Sequence, residues 1–222
     1  GSQVFSDIWV NLPSEKGMET EEIIQSAADG NIDVLFLLGS DPLSDFYDPD
    51  LAEKALKMIG TVISVDLFVN PSAYHADIFF PASAFTEVTG SHTNTEGRIT
   101  PIRQKVTSPG TARPDWMIAA EIAHRLGHDL GIEKPEDIWN ELNSRSISHE
   151  QISFDSIVNS PDGQFIKESD AITLGNLEKI SDTRPFDSYS LRLVLAKRMY
   201  DKGTITQMSP ALQQFAGTSQ LH

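Results

Sequence analysis

A compact apolar run at residues 33–38, which ends in Gly39, places the strongest constraint on the fold of this chain. Such a run is typical of a strand that is buried on both faces of a parallel sheet. A second apolar run follows at residues 61–68, and a short third run at residues 77–80 precedes Pro81. Because a helical pattern separates the first two runs, we predict a βαβ unit and therefore a parallel sheet.

Helical patterns with clear start and stop signals flank these strands. Four helices are predicted, at residues 18–29, 49–59, 115–126 and 135–142. Asp48 is a good N-cap for the second helix, and Pro49 suits its first turn. We expect Asp115 to cap the third helix. The spacing of its apolar side chains predicts a buried stripe made of Trp116, Ala119, Ala120, Ala123 and Leu126.

The alternation of strands and helices predicts an α/β fold, a parallel, doubly wound (Rossmann-like) sheet flanked by helices, over residues 3–145. Residues 146–222 are expected to form a small, partly irregular appendage, in which the alternating pattern at 189–195 predicts one strand. The first two residues, Gly-Ser, are typical of the remnant of an expression tag. We therefore expect the natural protein to extend upstream of residue 3.

Charge and composition exclude several classes of function. Asp and Glu outnumber Lys and Arg by 32 to 17, which gives a net charge of −15, and the basic residues are scattered. Nucleic acid and anionic membrane surfaces are therefore poor candidate partners. The chain contains no cysteine, which excludes disulfides, thiolate-held iron–sulfur clusters and Cys-type zinc sites within it. Its apolar runs are far too short to span a bilayer.

Three motifs occur in a fixed order along the chain. They are Gly39-Ser40-Asp41-Pro42, then His75-Ala76-Asp77-Ile78-Phe79-Phe80-Pro81 with Glu87, Gly90 and Asn94-Thr95-Glu96-Gly97-Arg98 behind it, and finally Arg113-Pro114-Asp115-Trp116 with Ile122-Ala123-His124-Arg125-Leu126-Gly127 behind it. In this order and spacing they resemble the signatures of the molybdopterin oxidoreductase family, G-x-[ND]-P, ADVVLP…E…G…N.EGR and RPDW…A.RLG. The resemblance covers roughly residues 18–145.

The resemblance implies a nucleotide crevice at the carboxyl ends of the strands. In catalytic members of the family, the G-x-[ND]-P turn approaches a guanine dinucleotide, and glycine lets the backbone come close to a ligand. Asp66, at the end of the second strand, matches an acidic position that can read a guanine edge through two acceptor oxygens. By this resemblance the candidate nucleotide contacts are Gly39, Ser40, Asp41, Asp66 and Arg98.

A structural interpretation of the same residues stands beside this one. Gly39 then simply ends a strand, and Asp66 caps or pairs locally. Arg98 pairs with Glu87 or Glu96, while the side chain of Asn94 satisfies loop backbone.

No metal site and no catalytic residue are predicted within this chain. Glu121, His124 and His128 are three and four residues apart, which invites a zinc interpretation. Their order is not H-E-x-x-H, however, and Gly127 is expected to end the helix before His128. A hydrolase triad is unsupported, because Ser83 lacks the strand-turn-helix elbow with flanking glycines.

The stretch at residues 190–210 resembles the C-terminal end of the G subunit of bacterial respiratory NADH:quinone oxidoreductase (complex I). This implies a cofactor-free scaffold in the electron-input arm, inactive alone, on the cytoplasmic side of the inner membrane. Its partners would be the upstream half of its own polypeptide and other complex I subunits, and the parent would carry iron–sulfur clusters on upstream cysteines. The alternative is a piece of a catalytic molybdoenzyme, such as a formate dehydrogenase or a nitrate reductase, that binds half of a molybdopterin guanine dinucleotide.

Overall fold

The computed structural model describes residues 17–94, 96–145, 149–166 and 203–215. The chain divides into two compact units, Gly1–Thr173 and Leu174–His222. In the described part of the second unit lie two short helices, α7 (Thr204–Met208) and α8 (Pro210–Gln213). The predicted strand at residues 189–195 falls outside the described residues.

The first unit contains the predicted parallel sheet. Its strands are β1 (Val34–Leu38), β2 (Thr61–Asp66) and β3 (Ile78–Pro81), in the order β1-β2-β3. Both pairings are parallel. Helix α1 (Thr20–Ala28) precedes β1, and α2 (Pro42–Asp45), α3 (Pro49–Met58) and a 3₁₀ helix (Ser72–His75) lie between the strands. The α/β fold predicted from the sequence is confirmed.

Helices α1 and α3 cover one face of this sheet. The core between them is formed by Ile24, Ala27, Ala28, Leu37, Ala55, Leu56, Ile59 and Val62. The side chain of Asp48 accepts a hydrogen bond from the Leu51 N–H at 3.0 Å, which confirms the predicted cap of α3. Gly30 follows α1 with a φ of +76°, a left-handed conformation that glycine adopts readily and that terminates the helix.

The other face of the sheet is exposed at both edge strands, β1 and β3. Val34, Phe36 and Leu38 are exposed on β1, and Ile78 is exposed on β3. Because successive side chains of a strand point to opposite faces, these residues lie opposite the core beneath α1 and α3. The prediction that the first strand is buried on both faces is therefore wrong for the part of the chain that the structure describes.

A second sheet, which the sequence analysis did not predict, follows the first. Its antiparallel strands are β4 (Gly90–Thr93), β5 (Arg98–Ile102) and β6 (Gln164–Phe165), in that order. Helices α5 (Pro135–Arg145) and α6 (Phe154–Val158) flank it. Its core consists of Ile99, Trp139, Ile152, Phe154, Ile157 and Ile166. Residues 164–165, beyond the predicted boundary at 145, thus pair with a strand that precedes it.

Helix α4 (Asp115–Arg125) agrees with the predicted bounds to within one residue. Its N-cap is Pro114 rather than Asp115, because Asp115 already has helical geometry and is the first residue of the helix. The predicted stripe is also partly wrong: Ile118 is the buried residue of α4, and Leu126 is exposed. Among the described helices, none is long and apolar enough to cross a membrane.

Candidate functional site: the carboxyl edge of the parallel sheet

The candidate site lies where β1 and β2 end, because parallel strands bring their carboxyl ends to the same edge of a sheet. Gly39 follows β1 directly, and its N–H donates to the carbonyl of Val65 in β2 at 2.9 Å. Its φ is +56°, and no atom lies within 4 Å of the position that a Cβ would occupy. With Ser40 also exposed, the backbone of this turn is open to a ligand.

Asp41 faces inward from the same turn. Its side chain is 3% exposed, and its Oδ1 accepts hydrogen bonds from the Ser72 hydroxyl at 2.5 Å and from the Ser72 N–H at 3.1 Å. The carboxylate therefore ties the turn after β1 to the 3₁₀ helix after β2. In this structure Asp41 orders the edge of the sheet, and it is Gly39 and Ser40 that face outward.

Asp66 ends β2 and is 7% exposed. Its Oδ1 accepts from the Leu67 N–H at 2.6 Å, and its Oδ2 accepts from Asn70 Nδ2 at 2.8 Å. These bonds form the local cap that the structural interpretation of the sequence predicts. A carboxylate oxygen can accept two hydrogen bonds, so Oδ2, which accepts one in this structure, keeps acceptor capacity for a ligand.

Asp115 joins the edge from helix α4, and sequence reasoning did not include it among the site residues. The segment before α4 is held at the end of β3: the Arg113 N–H donates to the Pro81 carbonyl at 3.1 Å, and the Arg113 carbonyl accepts from the Ser83 N–H at 3.0 Å. Asp115 is exposed at the surface, but partial desolvation by its surroundings raises its pKa, and the negative charge of Asp66 raises this pKa further. The hydrogen bonds of Arg113 place the first turn of α4 beside the end of β3, the strand next to β2.

Asp115 belongs to the Arg-Pro-Asp-Trp motif, so the sequence did mark this residue, but it did not mark its position near the end of β2. Nothing in the sequence spacing indicates that the first turn of α4 reaches the end of β2, since that proximity depends on how the chain between residues 82 and 113 folds.

Arg98 lies apart from the other predicted contacts. It belongs to β5, in the antiparallel sheet, where its guanidinium carbon lies 4.3 Å from the centroid of the Phe165 ring. Its Nη1 donates to the Asp162 carbonyl at 3.0 Å, and its Nε lies 3.8 Å from a Glu96 oxygen. The structure thus brings Gly39, Ser40, Asp41 and Asp66 to one edge and gives Arg98 contacts in the second sheet. A nucleotide contact by Arg98 stays a prediction.

The polar cluster around Arg98 has the features of a turn network. The side-chain oxygen of Asn94 accepts from the backbone N–H groups of Glu96 at 3.0 Å and Arg98 at 2.9 Å. Glu87 accepts from the Ala84 N–H at 3.0 Å. As the structural interpretation expects, these side chains satisfy loop backbone, and Arg98 pairs with Glu96.

The helix that carries Glu121 and His124 ends at Arg125, so His128 lies beyond it. Glu121 instead pairs with Arg125 at 2.7 Å. Within the ranges that the structure describes, no three His, Asp or Glu side chains are grouped in a way that could hold a metal ion.

Comparison with known proteins gives a consistent family signal. The sequence profile of the molybdopterin oxidoreductase family matches residues 9–125. The alpha subunit of an F420-dependent formate dehydrogenase from Methanocaldococcus jannaschii is 34% identical over 165 residues, which cover 71% of this chain and 24% of that protein. The catalytic subunit of the assimilatory nitrate reductase of Bacillus subtilis is 36% identical over 133 residues, which cover 59% of this chain and 19% of that protein.

Among solved structures, acetylene hydratase from Pelobacter acetylenicus is similar in fold. It has a TM-score of 0.55 and 20% sequence identity, and the match covers 66% of this chain and 20% of that one. The chain thus spans about a quarter or less of the length of the relatives that it matches.

Proposed function

Because this chain belongs to the molybdopterin oxidoreductase family, we propose that it binds the nucleotide end of a molybdopterin guanine dinucleotide within a larger molybdoenzyme. The observation that carries the proposal is that the open Gly39 turn, the carboxylate of Asp66 and the first turn of α4, which begins with Asp115, lie at the carboxyl ends of three adjacent strands. The names of the two relatives, a formate dehydrogenase and a nitrate reductase, support a catalytic parent.

The chemistry of this edge fits the base of such a nucleotide. A guanine presents N–H donors along one edge, and the carboxylate oxygens of Asp66 and Asp115 are acceptors. Desolvation and the charge of Asp66 both raise the pKa of Asp115, and hydrogen-bond donors from a bound base would offset both effects. Since Arg98 lies in the other sheet, we infer that this edge holds the base and ribose, which carry donors, more than the phosphates.

In the bound state, the cofactor supplies the redox chemistry through its metal, and the protein supplies binding and orientation. Gly39 and Ser40 offer open backbone against which the nucleotide packs. Asp66 and Asp115 accept from the base and so fix its orientation. The role proposed for this chain is therefore anchoring one end of the cofactor.

A second candidate rests on residues 190–210, which resemble the C-terminal end of the complex I G subunit. In that case the chain is a cofactor-free scaffold on the cytoplasmic side of the inner membrane, in contact with the upstream half of its own polypeptide and other complex I subunits. Most of this stretch lies outside the described residues. The formate dehydrogenase and nitrate reductase relatives support the first candidate better.

Calorimetric titration of the chain with GDP and ADP separates the two candidates. We expect micromolar binding of GDP. ADP should bind at least about tenfold more weakly, because an adenine edge leaves the charged acceptors unpaired. Asp115→Asn should weaken GDP binding by about tenfold or more, since it replaces one acceptor oxygen by a donor.

The matched control is Asp33→Asn, which changes an exposed carboxylate directly before β1, at the amino ends of the strands and therefore at the opposite edge of the sheet. It should bind GDP as the unaltered chain does. Absence of GDP binding at millimolar concentration would contradict the anchoring role and favour the scaffold.

A further inference from the structure

The two loops that form the candidate edge are joined by one buried serine. Ser72 is 0% exposed and begins the 3₁₀ helix after β2. Its hydroxyl donates to Asp41 at 2.5 Å and accepts from the Leu43 N–H at 3.0 Å, while its own N–H donates to Asp41 at 3.1 Å. Every hydrogen-bonding group of this residue except its carbonyl is thus directed at the turn after β1.

Asn70 connects the same 3₁₀ helix to the other loop. It is buried, its Nδ2 donates to Asp66 at 2.8 Å, and its Oδ1 accepts from the Ala73 N–H at 2.8 Å. The short helix therefore binds the carboxylate of Asp41 on one side and that of Asp66 on the other. Both carboxylates accept hydrogen bonds from neutral donors in this network.

We propose that Ser72 is a positioning residue: by holding the Asp41 carboxylate, it fixes the Gly39-Ser40 turn relative to the Asp66 loop, so that the edge acts as one preformed unit. The consequence for nucleotide affinity rests on the proposed function, whereas the coupling of the loops does not. Preformed sites bind more tightly because less freedom is lost on binding.

Removal of the hydroxyl should uncouple the loops. In Ser72→Ala, Asp41 loses its shortest hydrogen bond and the Leu43 N–H loses its acceptor, so the turn at residues 39–43 is no longer anchored. Strands β1 and β2 keep their ladder, because no ladder bond involves Ser72. Local opening should therefore rise in the two loops and not in the sheet.

The test is hydrogen exchange measured by mass spectrometry on the 222-residue chain. In Ser72→Ala we expect exchange about tenfold faster over residues 39–45 and 67–73, with β1 and β2 unchanged. The matched control is Ser44→Ala, an exposed serine of α2, which should exchange like the unaltered chain. Ser72→Thr, which retains the hydroxyl, should recover part of the protection. Asp41→Ala should loosen the same two loops, because it removes the oxygen that accepts both hydrogen bonds from Ser72.

Titration with GDP completes the test. Ser72→Ala should bind about tenfold more weakly than the unaltered chain, and Ser44→Ala equally well. The inference is overturned if Ser72→Ala keeps the exchange of the unaltered chain in residues 39–45, if exchange rises as much in the strands, or if the loops loosen with GDP affinity unchanged. Failure of the unaltered chain to bind GDP, together with loosening confined to the loops, refutes the proposed function and supports the coupling.

Discussion

At the scale of single residues, two glycines beside the second sheet are required by close packing. A Cβ on Gly163 would lie 2.5 Å from the carbonyl oxygen of Ile99 and 2.9 Å from a methyl group of Thr100. A Cβ on Gly97 would lie 2.9 Å from the side chain of Ile166. Both have a positive φ, near +80°. The turn before β6 therefore approaches the backbone of β5 closely only because residue 163 carries no side chain, whereas at Gly97 the crowding is against the side chain of Ile166.

Gly163→Ala should lower the free energy of unfolding by about 2 kcal/mol or more, since left-handed strain and overpacking add. Gly110→Ala is the matched control: its φ is +55°, but nothing lies within 4 Å of a Cβ. It should cost only about 1–2 kcal/mol, the strain alone. Urea unfolding followed by tryptophan fluorescence measures both variants. Equal costs would contradict the close packing at residue 163.

Asp115 makes a pH-dependent contribution of defined sign. Its pKa is raised in the folded state, by partial desolvation and then by the charge of Asp66. Its contribution to stability is therefore fully present below the unfolded pKa of 3.8 and is lost as pH rises through the folded pKa. Asp115→Asn should gain stability relative to the unaltered chain between acid and neutral pH. Parallel stability curves of the two proteins would contradict the repulsion between Asp66 and Asp115.

At the scale of secondary-structure elements, the βαβ unit was predictable because its signals are local. Asp48 caps α3, Gly30 ends α1, and apolar runs mark the strands. The antiparallel sheet was not predictable from local signals, because β4 is Gly-Ser-His-Thr, β5 contains a proline and β6 has only two residues. Its pairing depends on contacts distant in sequence, which composition does not reveal.

The residues of the candidate site also divide into those that local signals indicate and those that only the tertiary structure brings together. The motif after β1 identified Gly39, Ser40 and Asp41. Asp66 was identified by its position at the end of β2. The effect of the Asp66 charge on Asp115 and the bond between Asp41 and Ser72 depend on tertiary structure, which no periodic pattern in the sequence indicates.

Strand β1 allows a direct test of its one-sided burial. Leu37 is 5% exposed and belongs to the core beneath α1 and α3, whereas Leu38 is 67% exposed. Leu37→Ala should lower the free energy of unfolding by about 2–5 kcal/mol. The adjacent change Leu38→Ala should cost less than about 1 kcal/mol, because little apolar surface is buried there. Similar losses for the two variants would show that the second face of β1 is covered in solution.

At the scale of the whole molecule, the chain is strongly acidic, and the part of it that matches covers about a quarter or less of the length of its relatives. The open face of the parallel sheet, at Val34, Phe36, Leu38 and Ile78, is apolar surface of the kind found at interfaces. The acidic edge of the same sheet accepts hydrogen-bond donors. The anchoring role proposed for this chain therefore depends on whether a guanine nucleotide occupies that edge.

The most direct measurement is a ¹⁵N-resolved NMR titration of the chain with GDP. If the chain anchors the nucleotide at this edge, amide shift changes should be confined to Gly39, Ser40, Leu67 and the first turn of α4 at Asp115, because these groups line the edge. Shift changes centred on Arg98 in β5, or none at millimolar GDP, would contradict the anchoring role.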